Sequence, residues 1–123
     1  MRRRNDEEFL QKNFCHYLDA RGLLYTASMA GVFLTINVAR RRKIMGCKAG
    51  TPDIMIFEPR GKYFGLFLEL KSSDGYATPE QKTWAIELNR RGYLAIIMPP
   101  GMQFPQNFEY LRSMVEKYEA GQI

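Results

Sequence analysis

Apolar positions along the 123 residues change period several times, and each change marks an element. Leu10, Phe14, Tyr17 and Leu18 recur at helical spacing and predict an amphipathic helix over Glu7–Arg21, capped by Asn5 or Asp6 and stopped by Gly22. Leu23–Ser28 reads as a short strand that Met29-Ala30-Gly31 breaks. A second helix begins at Thr35 or Asn37, with Ile36, Ala39, Lys43 and Ile44 at helical spacing and Gly46 as its stop; Val32–Val38 also reads as strand. Lys48–Thr51 forms a loop whose last residue Pro52 holds extended. Ile54–Phe57 and Tyr63–Leu70 then flank the turn Pro59-Arg60-Gly61-Lys62, which predicts a β-hairpin.

After Lys71, Ser72-Ser73-Asp74-Gly75 is turn chemistry. Thr78-Pro79-Glu80-Gln81 has the cap, the first-turn proline and the third-position glutamine of a helix start. That helix runs to about Arg91 with Trp84, Ala85 and Leu88 inward. Tyr93–Met98 is nearly continuous apolar, the pattern of a central strand covered on both faces. A last helix over Asn107–Glu119 presents Phe108, Leu111, Met114, Val115 and Tyr118. The order helix, strand, helix, hairpin, helix, strand, helix predicts an α/β fold with a mixed central sheet flanked by helices. No linker or repeat divides the chain, so residues 1–123 read as one domain. The stretch from Lys71 to Tyr93 has the length of a crossover, which makes the strands on either side parallel neighbours.

Three polar residues do not follow from this pattern. Asp53 opens the first hairpin strand, while Glu69 and Lys71 close the second. Residues two apart in a strand share a face, so Glu69 and Lys71 project together, Leu70 turns to the buried face, and the hairpin brings Asp53 to the same end of the sheet. Each has an ordinary reading, Asp53 as an Asx turn after Pro52 and Glu-x-Lys as an exposed charge pair. Their convergence is poor packing without a ligand and suits a divalent cation. Glu7 shares a face with Leu10, Gln11 and Phe14, either as a favourable first-turn charge or as part of a site, while Glu8 turns to solvent. His16 reads as a surface residue.

Composition adds the partner. The chain carries 46% hydrophobic and 25% charged residues, a globular balance, and no apolar run near the roughly 20 residues that span a bilayer. Arg2-Arg3-Arg4 is followed by Asn5-Asp6-Glu7-Glu8 rather than by an apolar stretch, so no signal peptide is expected and the protein is placed in the cytoplasm. Cys15 and Cys47 read as free thiols of a reducing compartment, and a single histidine is too few for a usual zinc site. The net charge of +5 is concentrated in Arg2–Arg4 and in Arg40, Arg41, Arg42, Lys43 and Lys48. Basic runs flanking an acidic centre fit a polyanionic substrate, since the acids alone would repel phosphates.

Taken together, Pro52-Asp53, Glu69-Leu70-Lys71 sixteen positions on, and a helix carrying Gln81 resemble the PD-(D/E)xK nuclease superfamily, and within it the VRR-NUC family. The resemblance covers most of the chain: Glu7-x-x-Leu10-Gln11, Met45-Gly46, Gly50-Thr51-Pro52-Asp53, Gly65 to Ser72, Thr78-x-x-Gln81-x-x-Trp84 and Leu88-x-x-x-Gly92-Tyr93. It implies a restriction-endonuclease-like core and a metal-dependent DNA endonuclease. In that reading Asp53, Glu69 and the Leu70 carbonyl hold Mg²⁺ or Mn²⁺, Glu7 is the first-helix acid, Lys71 is the catalytic lysine and Gln81 the helix glutamine. Gln81 is equally placed to close a capping box with Thr78. The resemblance further implies a homodimer acting on branched DNA such as a four-way junction. The apolar stripe of the last helix is a candidate dimer face, unless that helix only covers its own sheet. Two other readings are a non-catalytic nucleic-acid-binding domain, which has no physical reason to keep a buried acid pair, and a nuclease acting on RNA or other DNA.

Overall fold

The computed structural model describes residues 2–28, 35–71 and 75–123, with side chains from residue 6 onward. The expected break at Met29-Ala30-Gly31, residues 32–34 of the alternative strand Val32–Val38, and the turn residues Ser72-Ser73-Asp74 lie outside them, while Ile36 to Val38 are helical and not strand. Among the described residues four helices and four strands follow in the predicted order: α1 Arg2–Ala20, β1 Tyr25–Ala27, α2 Ile36–Ile44, β2 Ile54–Ile56, β3 Leu66–Glu69, α3 Pro79–Arg90, β4 Leu94–Ile97 and α4 Gln106–Glu119. The sheet order is β1-β2-β3-β4, antiparallel except for the β3–β4 pair. That parallel pair, joined through α3, is the expected crossover.

Alternation divides the sheet into two faces. Ile54, Ile56, Leu66, Leu68 and Leu70 point to one side, where Leu10, Phe14 and Leu18 of α1 and Leu111, Val115 and Tyr118 of α4 close the core over them. Phe67, Glu69 and Lys71 point to the other. There Phe67 stacks on Tyr93 at 5.0 Å and meets Phe57 edge-on at 5.6 Å. Tyr63 and Phe64 fall before β3 rather than within it. Arg60 and Tyr63 bridge each other around the turn, and the Phe64 N–H donates to the Gly92 carbonyl. Gly92, at φ +94°, leaves room for the Phe64 ring, whose edge lies 2.6 Å from where a Cβ would stand.

Three expectations need correction. The first helix begins at Arg2, not near Glu7, so Asn5 and Asp6 are helical residues and not caps; no glycine or proline intervenes to stop it. Tyr93–Met98 is not a central strand, because β4 is the outer strand next to β3 and its residues are half-buried. Its apolar run serves the two helix layers instead. The outward N–H and C=O of Ala95 are both met by the Asn89 side chain of α3, which covers an edge that would otherwise be open to pairing. The stripe of α4 is not a free face, since Leu111, Val115 and Tyr118 are buried in this chain's own core. The Tyr118 hydroxyl also donates to the Glu58 carbonyl at 2.7 Å, tying α4 to the hairpin.

Both cysteines are free thiols, and among the described residues no helix is long and apolar enough to cross a membrane. Helix α2 stands apart from the rest. Thr35 caps it as expected, yet none of its residues is buried. Because α4 is part of the core, Leu111→Ala should lower stability by about 3 kcal/mol in urea unfolding. A loss under about 1 kcal/mol would show that α4 is peripheral.

Candidate active site

The site follows from strand register. Ile54 pairs with Leu68, so one step beyond the ladder Asp53 stands opposite Glu69 on the α3 face. Two anchors hold Asp53 there: its carbonyl accepts from the Ser28 N–H at 2.8 Å, and its Oδ2 accepts from the Leu70 N–H at 2.8 Å. Lys71 follows on the same face as Glu69, its Nζ 3.5 Å from Glu69 Oε2. All three charged residues are buried, with Asp53 8% and Glu69 and Lys71 each 6% exposed.

Helix α3 closes the group. Thr78 Oγ1 accepts from the Gln81 N–H, and Gln81 Oε1 accepts from the Thr78 N–H, a complete capping box. The same Gln81 Oε1 accepts from Lys71 Nζ at 2.6 Å, while its Nε2 donates to Glu69 Oε2 at 2.8 Å. The two readings of Gln81 are therefore not exclusive. One amide caps the helix and bridges the acid to the lysine.

Burial sets the electrostatics. It raises the Asp53 carboxyl, against the lowering effects of the neighbouring Glu69 carboxyl, the Leu70 N–H and the Lys71 charge. Glu69 is pushed up to about 9, first by burial and then by the negative charge of Asp53. Glu69 Oε2 is satisfied, but Oε1 is buried and has no hydrogen-bond partner. Two adjacent carboxylates and an orphaned oxygen mark a place short of positive charge. Hard oxygen donors from Asp53, Glu69 and the main-chain carbonyl of Leu70 suit Mg²⁺ or Mn²⁺, which one or two carboxylates and water commonly hold. The residues present fit such an ion.

The remaining candidates lie elsewhere. Among the described residues no three His, Cys, Asp or Glu side chains gather around a common point, so Glu7, half-buried on α1, does not form an acid trio with Asp53 and Glu69. Arg40, Arg41 and Lys43 are exposed on α2 and Arg42 is half-buried there, while Lys48 is exposed in the loop that follows. None of the five is ion-paired within the described structure. Two features escaped sequence reasoning: the Ala49 carbonyl accepts from the Trp84 indole N–H at 3.0 Å, and Gly50 packs against the backbone of α3. Their only signals were a glycine beside Thr51-Pro52-Asp53 and a tryptophan one turn after Gln81.

A mixed sheet that ends in a buried Asp–Glu pair, backed by a lysine and a helix glutamine, defines an α/β domain with an acid–lysine site at one end of its sheet. The VRR-NUC domain family model matches residues 5–99, well over half of the chain, and the chain belongs to that family of nuclease domains. Among solved structures, one described as a VRR_NUC domain protein is 26% identical with a TM-score of 0.67, covering 91% of this chain and 86% of the other. Another, described as a VRR_NUC domain, is 21% identical with a TM-score of 0.58, covering 92% of this chain and 97% of the other, and shares the fold. No curated protein is significantly similar. Helix α4 lies beyond the matched residues, although it supplies three core side chains.

The raised Glu69 carboxyl gives a sign to the pH dependence. Protonated Glu69 favours the fold, so its contribution is complete below about pH 4.5 and is lost as pH rises through about 9. In metal-free buffer the unfolding midpoint should fall between about pH 5 and about pH 9, and Glu69→Gln should flatten that slope. An equally steep slope in Glu69→Gln would assign the titration to another group.

Proposed function

We propose that the protein is a Mg²⁺- or Mn²⁺-dependent endonuclease that hydrolyses phosphodiester bonds in DNA. The observation that carries this reading is the buried Asp53–Glu69 pair with an unpartnered Glu69 oxygen, set beside Lys71 and Gln81. Asp53, Glu69 and the Leu70 carbonyl would hold the ion. When bound, it supplies Lewis-acid polarisation of the phosphate and a more acidic water.

The chain's own groups do the rest. Lys71 Nζ, fixed by the Gln81 carbonyl oxygen, orients the attacking water and offsets negative charge that grows on the phosphate oxygens. The water oxygen bonds to phosphorus as the ester P–O bond breaks; the attacking water gives up one proton to solvent and the departing sugar oxygen takes one up from solvent, so the step balances and no redox partner is needed. Gln81 keeps Glu69 and Lys71 in fixed relation through its two ends. The cations of α2 and Lys48 meet the phosphate backbone, each contact adding to affinity and to its fall with salt.

The proposal extends to a homodimer on branched DNA, because one site cuts one strand and two sites are needed for a paired cut. The α4 stripe is used internally, and exposed apolar surface remains on α2 and at its end, where Ile44 and Met45 are 85% and 81% exposed beside the basic run.

Cleavage of labelled linear and four-way DNA tests the reading. Asp53→Ala, Glu69→Ala and Lys71→Ala should each lower the rate at least about a hundredfold while DNA binding persists. Chelator should abolish cutting, and Ca²⁺ should not restore it; full activity in excess chelator would reject the ion. Gln81→Glu preserves a cap acceptor but sets a third carboxylate against Glu69. It should keep the helix start, lower the melting temperature of the metal-free protein, and lose about tenfold or more in rate. Unchanged kinetics would leave Gln81 as a cap alone. A monomer in light scattering that cuts linear and four-way DNA equally would reject the dimer on branched DNA.

A further inference from the structure

Asp53 is delivered by a loop, and the loop's attachment is not to the sheet alone. On its far side the Trp84 indole N–H donates to the Ala49 carbonyl at 3.0 Å. The next residue, Gly50, adopts φ +87° and lies so close to α3 that a Cβ there would stand 2.6 Å from the Glu80 carbonyl carbon and 2.8 Å from the Gln81 nitrogen. Only a residue without a side chain both accepts that backbone conformation and permits that approach. Three residues later comes Asp53, held on its other side by the Ser28 and Leu70 N–H groups.

Trp84 lies one turn beyond Gln81 on the same helix. The helix therefore holds both halves of the site: Gln81 grips Glu69 and Lys71, and the Trp84–Gly50 contact grips the approach to Asp53. Half-buried Trp84 spends its single polar hydrogen on a main-chain carbonyl of this loop.

We propose that Trp84 and Gly50 are positioning residues that lock the Asp53 loop onto the first turns of α3 and so fix the spacing of Asp53 from Glu69. The consequence for ion binding rests on the nuclease reading; the clamp itself rests on the geometry. By linkage, an ion that needs Asp53 and Glu69 at one spacing must in turn tighten the clamp that sets that spacing.

The test measures Mn²⁺ affinity without DNA, by calorimetry, beside thermal melts and cleavage rates. Trp84→Phe keeps an aromatic ring and removes the donor. It should weaken Mn²⁺ binding about tenfold, at the low end of what partners of a metal ligand contribute, and raise the Mn²⁺ needed for half-maximal cleavage by the same factor. Gly50→Ala should weaken it further. A purely structural role would lower the melting temperature and leave the affinity of the folded protein unchanged, and that result overturns the proposal. The parent protein supplies a check that no folding defect can spoil. Trp84 is the only tryptophan, so its indole N–H gives one NMR signal, whose hydrogen exchange should slow on adding Mg²⁺ and should not respond in Asp53→Asn. Exchange unaffected by Mg²⁺ in a parent protein that binds the ion and cuts DNA overturns the clamp alone. A parent protein that neither binds Mn²⁺ nor cuts DNA overturns the nuclease reading and the ion-dependent consequence with it.

Discussion

The antiparallel register of β2 and β3 is the constraint on which the site depends. With Ile54 opposite Leu68, Asp53 falls opposite Glu69, both turn toward α3, and the Leu70 N–H meets the Asp53 carboxylate. A slip of one residue would exchange the faces, sending Leu68 and Leu70 toward α3 and Glu69 into the α1–α4 core. The core side chains therefore enforce the site's geometry. Ile54, Ile56, Leu66, Leu68 and Leu70 can be buried together in only one register, and that register brings the two acids together.

The arrangement is costly in isolation. A buried Glu69 beside a buried Asp53, with one oxygen unsatisfied, works against the fold whenever both are charged. The surroundings offset part of this: Lys71 Nζ lies 3.5 Å from Glu69 Oε2, the Gln81 amide donates to that same oxygen, and the Leu70 N–H donates to Asp53 Oδ2. Helix α3 contributes through one side chain that is both cap and ligand-side bridge. A helix start is a rigid place to carry such a group, because the capping box fixes the amide before it ever reaches Lys71.

Much of this was legible in the sequence because the relevant rules are local. Period two over Leu66–Leu70 set which residues share a face, Thr78-Pro79-x-Gln81 wrote a helix start, and the length from Lys71 to Tyr93 dictated a parallel crossover. What was not legible depends on contacts between distant residues. Nothing in Tyr93–Met98 tells whether its two-sided cover comes from neighbouring strands or from helices, so an edge strand read as a central one. The α4 stripe has the same pattern whether it meets its own sheet or a second chain. The Trp84–Ala49 hydrogen bond joins residues 35 positions apart through a main-chain oxygen that carries no side-chain signal. The placement of α2, with no buried residue, followed from no pattern at all.

The central claim is that the Asp53–Glu69 pair is the seat of a divalent ion. Crystals soaked in Mn²⁺ and measured at its absorption edge test this without reference to any substrate. The account predicts an anomalous peak within about 2.0–2.3 Å of the Asp53 and Glu69 carboxylates and of the Leu70 carbonyl oxygen, with Glu69 Oε1 among its ligands. A peak elsewhere, or none while Glu69 Oε1 stays unpartnered, would contradict it.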